Sequence, residues 1–271
     1  MIRTFAKIVR AVGRSLPAPK HAIRDMRGGY RLSLNPSSDP HERELYRFRT
    51  YEPATLALMD KVLRPGDVMV DVGANLGLMT LHGSRRVGDK GSVVAIEPHP
   101  MMFERLSGHL ALNNCRNVRA LQLAAGAHHG TATLYDVPAV AIGRASLLKP
   151  EAKHVASGVV QVVTLDSILS EYPSIRFLKI DIEGYEAQAL AGAAETLRKQ
   201  PVICMEVVQS HGGDPFAAHE TIISTGLYEP FVFSGGKSKA SSLVPLLDHK
   251  GIRHDNVVYI PLGESAAMLR G

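Results

Sequence analysis

In "LKIDIEGYE", residues 178 to 186, charged and apolar residues alternate, with Lys179, Asp181 and Glu183 on one side of an extended chain and Leu178, Ile180 and Ile182 on the other. A central strand cannot bury three charges cheaply, so that side must pair internally or open onto a wet cleft. A carboxylate in such a cleft can take the proton of an alcohol, which is a poor nucleophile until that proton leaves. Asp181 is the first choice for this base, and Lys179 beside it would hold it ionised. Glu183 and Glu186 come next, followed by Glu206 at the end of "VICMEVV" and His211 just beyond it. Histidines 99, 128, 129 and 154 fall in loops and read as solvated. A metal at Asp181 would need further carboxylate or amide ligands; Glu206 is available, but no local ligand spacing supports a metal, and none is assigned.

A second constellation is "VDVGANLGLMT", residues 70 to 80, a buried strand that breaks into a glycine turn and then opens a helix. A dinucleotide turn needs G-x-G-x-x-G, whereas Gly73 and Gly77 are spaced G-x-x-x-G around Asn75, and no G-K-[ST] follows to hold phosphates. The pattern fits a ligand without phosphate that carries an amino-acid head and a nucleoside tail. Gly73 would let the backbone approach it, and Asp71 would face its ammonium. The helix opening, where Thr80 lies, would face its carboxylate. Glu97 ends the next strand, "SVVAIEP", 20 residues after Gly77, placed to accept both ribose hydroxyls. An acid there disfavours a 2′-phosphate. Together these residues specify S-adenosylmethionine.

Methyl transfer from a sulfonium is an in-line displacement in which the protein mostly aligns the partners. The Asn/Asp-Pro-Pro-aromatic tetrad of amino-methylating nucleic-acid enzymes is missing at 181–184, and neither Cys115 nor Cys204 follows a proline, as a cytosine-methylating nucleophile would. Oxygen is the expected acceptor.

The elements that must hold these residues alternate along the chain. Strands are predicted at Val68–Val72, Ser92–Glu97, Val118–Leu123, 175–181 and 202–208, with helices at about 76–86, 101–112, 185–199 and 215–225 between or after them. Two further strands, 131–137 and 159–165, flank a loop and read as an insertion at about 131–165. "YEPFVF" and "NVVYIP" suit an antiparallel hairpin at one edge. The expected fold is α/β, a doubly wound, mostly parallel Rossmann-like sheet. Domain boundaries are expected at 1–45, a basic amphipathic arm, and 46–271, the sheet domain.

Residues 1–31 hold eight lysines and arginines against one acid, while the remaining 240 residues hold 23 basic and 25 acidic ones. The basicity therefore belongs to the arm and argues against a nucleic-acid groove across the domain. The arm places Ile2, Phe5, Ile8, Val9 and Val12 on one helical face, which suits docking on its own domain or a dimer mate, or contact with a partner or an anionic membrane surface. No run approaches a membrane span, the two cysteines lack metal or redox spacing, and a cytoplasmic location is expected.

The ordered motifs "DVGANLGLMT", "AIEPHPMMFERLSGHLALNN", "VVTLDSIL", "FLKIDIEGYEAQALAGA" and "ICMEV" resemble those of FkbM-type S-adenosylmethionine-dependent methyltransferases, over roughly residues 51–207. The resemblance implies a class I methyltransferase fold and O-methylation of a glycan, sugar or natural-product hydroxyl. By position it supports Asp71, Gly73, Asn75, Gly77 and Glu97 for the cofactor and residues 179–184 for the reaction centre. It also implies that Tyr51-Glu52, the family's "YE" element, covers the methionine end of the cofactor. Asp166, in the family's Thr164-Leu165-Asp166, reads as the N-cap of the helix that follows. The alternative is a protein that binds S-adenosylmethionine without turnover, as a regulator or complex subunit.

Overall fold

The computed structural model describes residues 17–136, 146–147, 155–207, 214–239, 242–247 and 255–263. Ahead of the sheet come the hairpin β1 (Ala22–Asp25) and β2 (Arg31–Leu34), then α1 (Pro40–Phe48) and α2 (Pro53–Val62). Asp39 caps α1 by accepting the His41 and Glu42 N–H groups. The alternating core follows: β3 (Val68–Val72), α3 (Leu78–Val87), β4 (Ser92–Ile96), α4 (Pro100–Leu112) and β5 (Val118–Leu121). A small mixed layer comes next, with β6 (Ala124–Ala125), β7 (Gly130–Asp136) and β8 (Val155–Val163) in the order β6-β8-β7, β8 running parallel to β6 and antiparallel to β7. Then come α5 (Leu165–Ile168), β9 (Phe177–Ile180), α6 (Glu186–Ala191), α7 (Ala194–Arg198), β10 (Val202–Val207), α8 (Pro215–Ile223), β11 (Tyr228–Phe233), β12 (Leu243–Pro245) and β13 (Asp255–Pro261).

The main sheet has the order β12-β11-β13-β10-β9-β3-β4-β5. Strands β10, β9, β3, β4 and β5 run parallel, and β13, β11 and β12 run antiparallel to their neighbours. This is the expected Rossmann-like α/β sheet. The predicted edge hairpin is present as β11 with β13, and β12 extends it outward. The order reverses on either side of β3, which places the binding crevice at the carboxyl ends of β3, β4 and β9.

Both faces of the sheet are covered, which explains why its strands read as nearly continuous apolar runs. On one face Met69, Val93, Ala95, Phe177 and Cys204 pack with α2, α3, α4 and the β1–β2 hairpin. On the other, Val70, Val94, Leu178, Ile203 and Met205 pack with α5 to α8.

Two boundaries differ from expectation. The helix expected over 185–199 is two helices, broken at Gly192-Ala193, where a Cβ on Gly192 would lie 2.2 Å from the Gly126 carbonyl oxygen. The arm boundary at 45 falls inside α1, and Leu32, Leu34 and Leu45 are buried in the core of the domain. The basic count alone obscured this, because the charges from 20 to 31 lie in and around a hairpin whose second strand buries Leu32 and Leu34. Residues 1–16, the amphipathic segment, lie outside the described residues. No helix among the described residues is long and apolar enough to cross a membrane.

His109 on α4 ties the hairpin to the rest: its Nε2 accepts the Ser33 N–H at 3.0 Å and its Nδ1 donates to the Leu76 carbonyl at 2.7 Å. Arg105 on the same helix pairs with Glu42 and donates to the Ser33 carbonyl at 2.9 Å. The hairpin therefore braces the turn after β3. Leu32→Ala is expected to cost about 2–5 kcal/mol, the range for a buried leucine, read as a lower denaturation midpoint at unchanged slope. A midpoint equal to the parent's would make the hairpin a dispensable appendage.

Candidate functional site

The turn after β3 is built by backbone geometry. Gly73, Asn75 and Gly77 have φ of 84°, 50° and 83°, left-handed values that glycine adopts freely and asparagine tolerates. Gly73 and Ala74 donate their N–H groups to the Ile96 carbonyl at 2.9 and 3.0 Å, holding the turn against the end of β4. A Cβ on Gly73 would sit 1.9 Å from the Asp181 carbonyl oxygen, so this glycine lets the turn meet the end of β9. The close approach that Gly73 permits here is to the chain's own backbone.

Glu97 follows β4 and is buried. One carboxylate oxygen accepts the Asn75 N–H at 2.8 Å and the other accepts the His99 N–H at 2.9 Å. Each oxygen retains a second lone pair, the capacity that two ribose hydroxyls would use. Burial pushes the Glu97 carboxyl up to about 7 against these two N–H bonds.

Asp71 and Lys179 are register partners on β3 and β9, and Cys204 of β10 lies opposite Lys179 on its other side. Asp71 accepts the Thr80 hydroxyl at 2.5 Å, and burial raises its carboxyl despite Thr80 and Lys179. Thr80 is fully buried and donates its hydroxyl to Asp71, fixing that carboxylate. Lys179, 2 % exposed, donates to Asp181 Oδ2 at 2.9 Å. It stays charged because Asp181 and more distant carboxylates outweigh its desolvation. Burial favours a neutral Asp181, yet the Lys179 ammonium, a hydrogen bond with Glu206 and the Lys237 ammonium hold its carboxyl well below the usual range. Glu206 moves the other way, raised by burial and by the Asp181 charge. Of the two neighbouring carboxyls, Asp181 is therefore the one held ionised.

Glu52 completes the group. Its backbone is left-handed at φ 40°, it is buried, and its Oε2 accepts Asn256 Nδ2 at 2.9 Å and the Thr55 hydroxyl at 3.0 Å. Lys237 pairs with its Oε1 at 2.8 Å and also with Glu206. Carboxylate oxygens of Glu52, Asp181 and Glu206 lie within 4.8 Å of one another. This is a metal-like grouping that local spacing in the sequence could not reveal, because Glu52 lies 129 residues before Asp181.

Other expectations change. β9 ends at Ile180, so the alternation placing Glu183 beside Asp181 does not reach it; Glu183 sits in a left-handed turn, φ 53°, with its carbonyl accepting the Ser146 hydroxyl at 3.0 Å. Glu186 closes that turn by accepting the Ile182 and Gly184 N–H groups at 3.1 and 3.3 Å. Asp166 does not cap its own helix, a task done by Thr164. It caps α7 instead, accepting the Glu195 and Thr196 N–H groups at 3.0 and 2.8 Å. His211 lies outside the described residues. Lys237, Asn256 and Thr55 were not foreseen: they occupy an undistinguished polar loop, a β-strand and a helix, with no motif around them.

The sequence matches the model of the methyltransferase FkbM domain over residues 71–228. A methyltransferase of Sordaria araneosa, sdnD, is 31% identical over 158 residues, covering 47% of this chain and 60% of that protein. The hexuronic acid methyltransferase AglP of Haloferax volcanii is 26% identical over 180 residues, covering 64% of this chain and 69% of that one. A solved FkbM methyltransferase from Methylobacillus flagellatus KT aligns at 19% identity and a TM-score of 0.47, covering 80% of this chain and 54% of its own. The chain thus spans less than two thirds of the length of two of these relatives. Because the family model covers more than half of the chain, from the aspartate of the glycine turn to the strand after α8, this protein belongs to the methyltransferase FkbM family.

Proposed function

We propose that the protein is an S-adenosylmethionine-dependent O-methyltransferase acting on a hydroxyl of a sugar, glycan or secondary metabolite. The residues fit the cofactor: Glu97 offers unspent lone pairs beside a left-handed glycine turn, next to the buried acid Asp71. Glu97 would hold the ribose, the turn from Gly73 to Gly77 the amino-acid end, and Glu52 would close that end. The bound cofactor supplies an activated methyl group on a sulfonium.

The observation that carries the reading is the ionised Asp181, held by Lys179 at the end of β9 directly against the Gly73 turn. Asp181 accepts the hydroxyl proton of the acceptor, with the Glu206 carboxyl beside it. An ionised carboxylate acceptor needs no base, so a base at this point favours a neutral hydroxyl. The relative named for hexuronic acid supports a sugar as the acceptor class.

Calorimetry with S-adenosylmethionine, S-adenosylhomocysteine and NAD, followed by transfer of labelled methyl to a panel of sugars and glycans, tests the proposal. Tight NAD binding with no response to either sulfur ligand would overturn it. Binding of S-adenosylmethionine without transfer to any hydroxyl acceptor would favour a non-catalytic binding protein.

Glu97→Gln is expected to weaken S-adenosylmethionine binding by about 1.5–3 kcal/mol, since bonds to an ionised group become neutral ones. In the parent, affinity should rise between pH 6 and 8, as Glu97 loses its proton near 7. For stability the sign is opposite. The folded pKa lies above the unfolded one, so stability attributable to Glu97 declines as pH rises from about 4.5 to 7. Calorimetry across this range should show the affinity gradient in the parent and a flat profile in Glu97→Gln; equal profiles would remove Glu97 from the ribose site.

A further inference from the structure

Lys237 lies in the turn between β11 and β12, remote in sequence from every motif of the site. Its ammonium bridges Glu52 on the N-terminal side and Glu206 at the end of β10. Its carbonyl accepts the Ala54 N–H at 3.3 Å, so the turn is fastened to the start of α2 by backbone as well. Glu52 cannot swing away, because Asn256 and Thr55 hold its other oxygen. Lys179 cannot take over this role, because it is buried and engaged with Asp181.

Three carboxylate oxygens within 4.8 Å of one another, from three separate elements, form a donor set of the kind that ligates a hard divalent cation. Here a compact ammonium with three donors stands among them. We propose that Lys237 is the resident cation of the acceptor site: it occupies the electrostatic position of a divalent metal, offsets Glu52 and Glu206, and fixes both carboxylates around Asp181. Lys237 is thus a positioning residue. It confers on the carboxylate pair a fixed geometry and an internal countercharge, which a metal ion would otherwise provide. The inference rests on the reading of this cluster as the acceptor site.

The consequence is specific. Removing the ammonium while keeping the three carboxylates should create a divalent-metal site, since Lys179 alone cannot offset the remaining charge. Full-length parent, Lys237→Arg, Lys237→Met, and Lys237→Met combined with Glu206→Gln are titrated with Mn²⁺, followed by electron paramagnetic resonance and thermal melting. Lys237→Met is expected to melt lower than the parent without metal, to bind Mn²⁺ at least about tenfold more tightly, and to regain stability with it. Lys237→Arg should behave as the parent, and the added Glu206→Gln should abolish the gained Mn²⁺ binding. A folded Lys237→Met that gains no Mn²⁺ affinity would overturn the proposal, as would a parent that binds Mn²⁺ as tightly as the variant. Should the methionine variant not fold, Lys237→Gln takes its place with the same two criteria. S-adenosylmethionine affinity of the parent is measured alongside. Its absence would defeat the methyltransferase reading, whereas the Mn²⁺ comparison judges Lys237 independently of cofactor or turnover.

Discussion

Asp181→Asn is expected to lower methyl transfer by about 10²–10⁴ per folded molecule, the span of general-base catalysis, with little change in S-adenosylmethionine affinity. The side chain keeps its shape but loses the charge that is proposed to accept the acceptor's proton. Lys179 would then donate to an amide oxygen instead of a carboxylate, leaving a buried ammonium poorly compensated, so the variant should also melt lower. Turnover must therefore be normalised to folded protein. The deficit should shrink at high pH, where the acceptor ionises without help. In the parent, the depressed Asp181 carboxyl keeps the base ionised well below neutral pH. The stability it contributes is present above its unfolded pKa and is lost as pH falls through the folded one. Lys179→Gln added to Asp181→Asn should recover part of the melting temperature without recovering turnover. Near-normal turnover in Asp181→Asn would remove Asp181 from the chemistry and turn attention to Glu206.

Gly73→Ala should be the most damaging single methyl group in the protein. At φ 84° an L-residue is strained, and the added Cβ would lie 1.9 Å from the Asp181 carbonyl oxygen and 3.0 Å from Ile182. Neither neighbour can yield easily, because Asp181 donates its own N–H to the Val72 carbonyl at 3.0 Å and so is tied to the same strand. Left-handed strain and overpacking together should cost about 2–5 kcal/mol, and the turn should move away from β9. On the roles proposed for the turn and for Asp181, S-adenosylmethionine binding and transfer should fall together. Denaturant midpoints and calorimetry on the same preparation check both; a variant with parental stability would mean the turn and β9 have slack that the packing does not show.

The sequence by itself determined most of the fold and which residues of the candidate site gather at the ends of β3 and β4. Strand Val68–Val72 was read to the residue, and β4, β9 and β10 to within a few residues, because central parallel strands are buried on both faces and leave unbroken apolar runs. Asp71, Gly73, Asn75, Gly77 and Glu97 were legible for a related reason. Asp71 lies near the end of β3, the glycine turn follows that strand and Glu97 follows β4, and strand ends in this topology converge on one crevice whatever the details of packing.

Tertiary structure decided the rest. Strand alternation predicts a face only while the ladder continues, and β9 stops pairing with β3 at Ile180, so Glu183 left the side that periodicity assigned it. Thr80 and Asp166 carry no local sign of their partners, which are Asp71 and the N-terminus of α7. The carboxylate cluster is the clearest case: Asn256 reaches Glu52 across 204 residues, and Lys237 joins Glu52 to Glu206 from a loop without a motif. No local pattern records such a meeting. It arises because β13 inserts antiparallel beside β10 and carries Asn256 opposite Glu206, while the turn after β11 folds back over the start of α2. Only the packed sheet brings three carboxylates and an ammonium from four separate elements to one point.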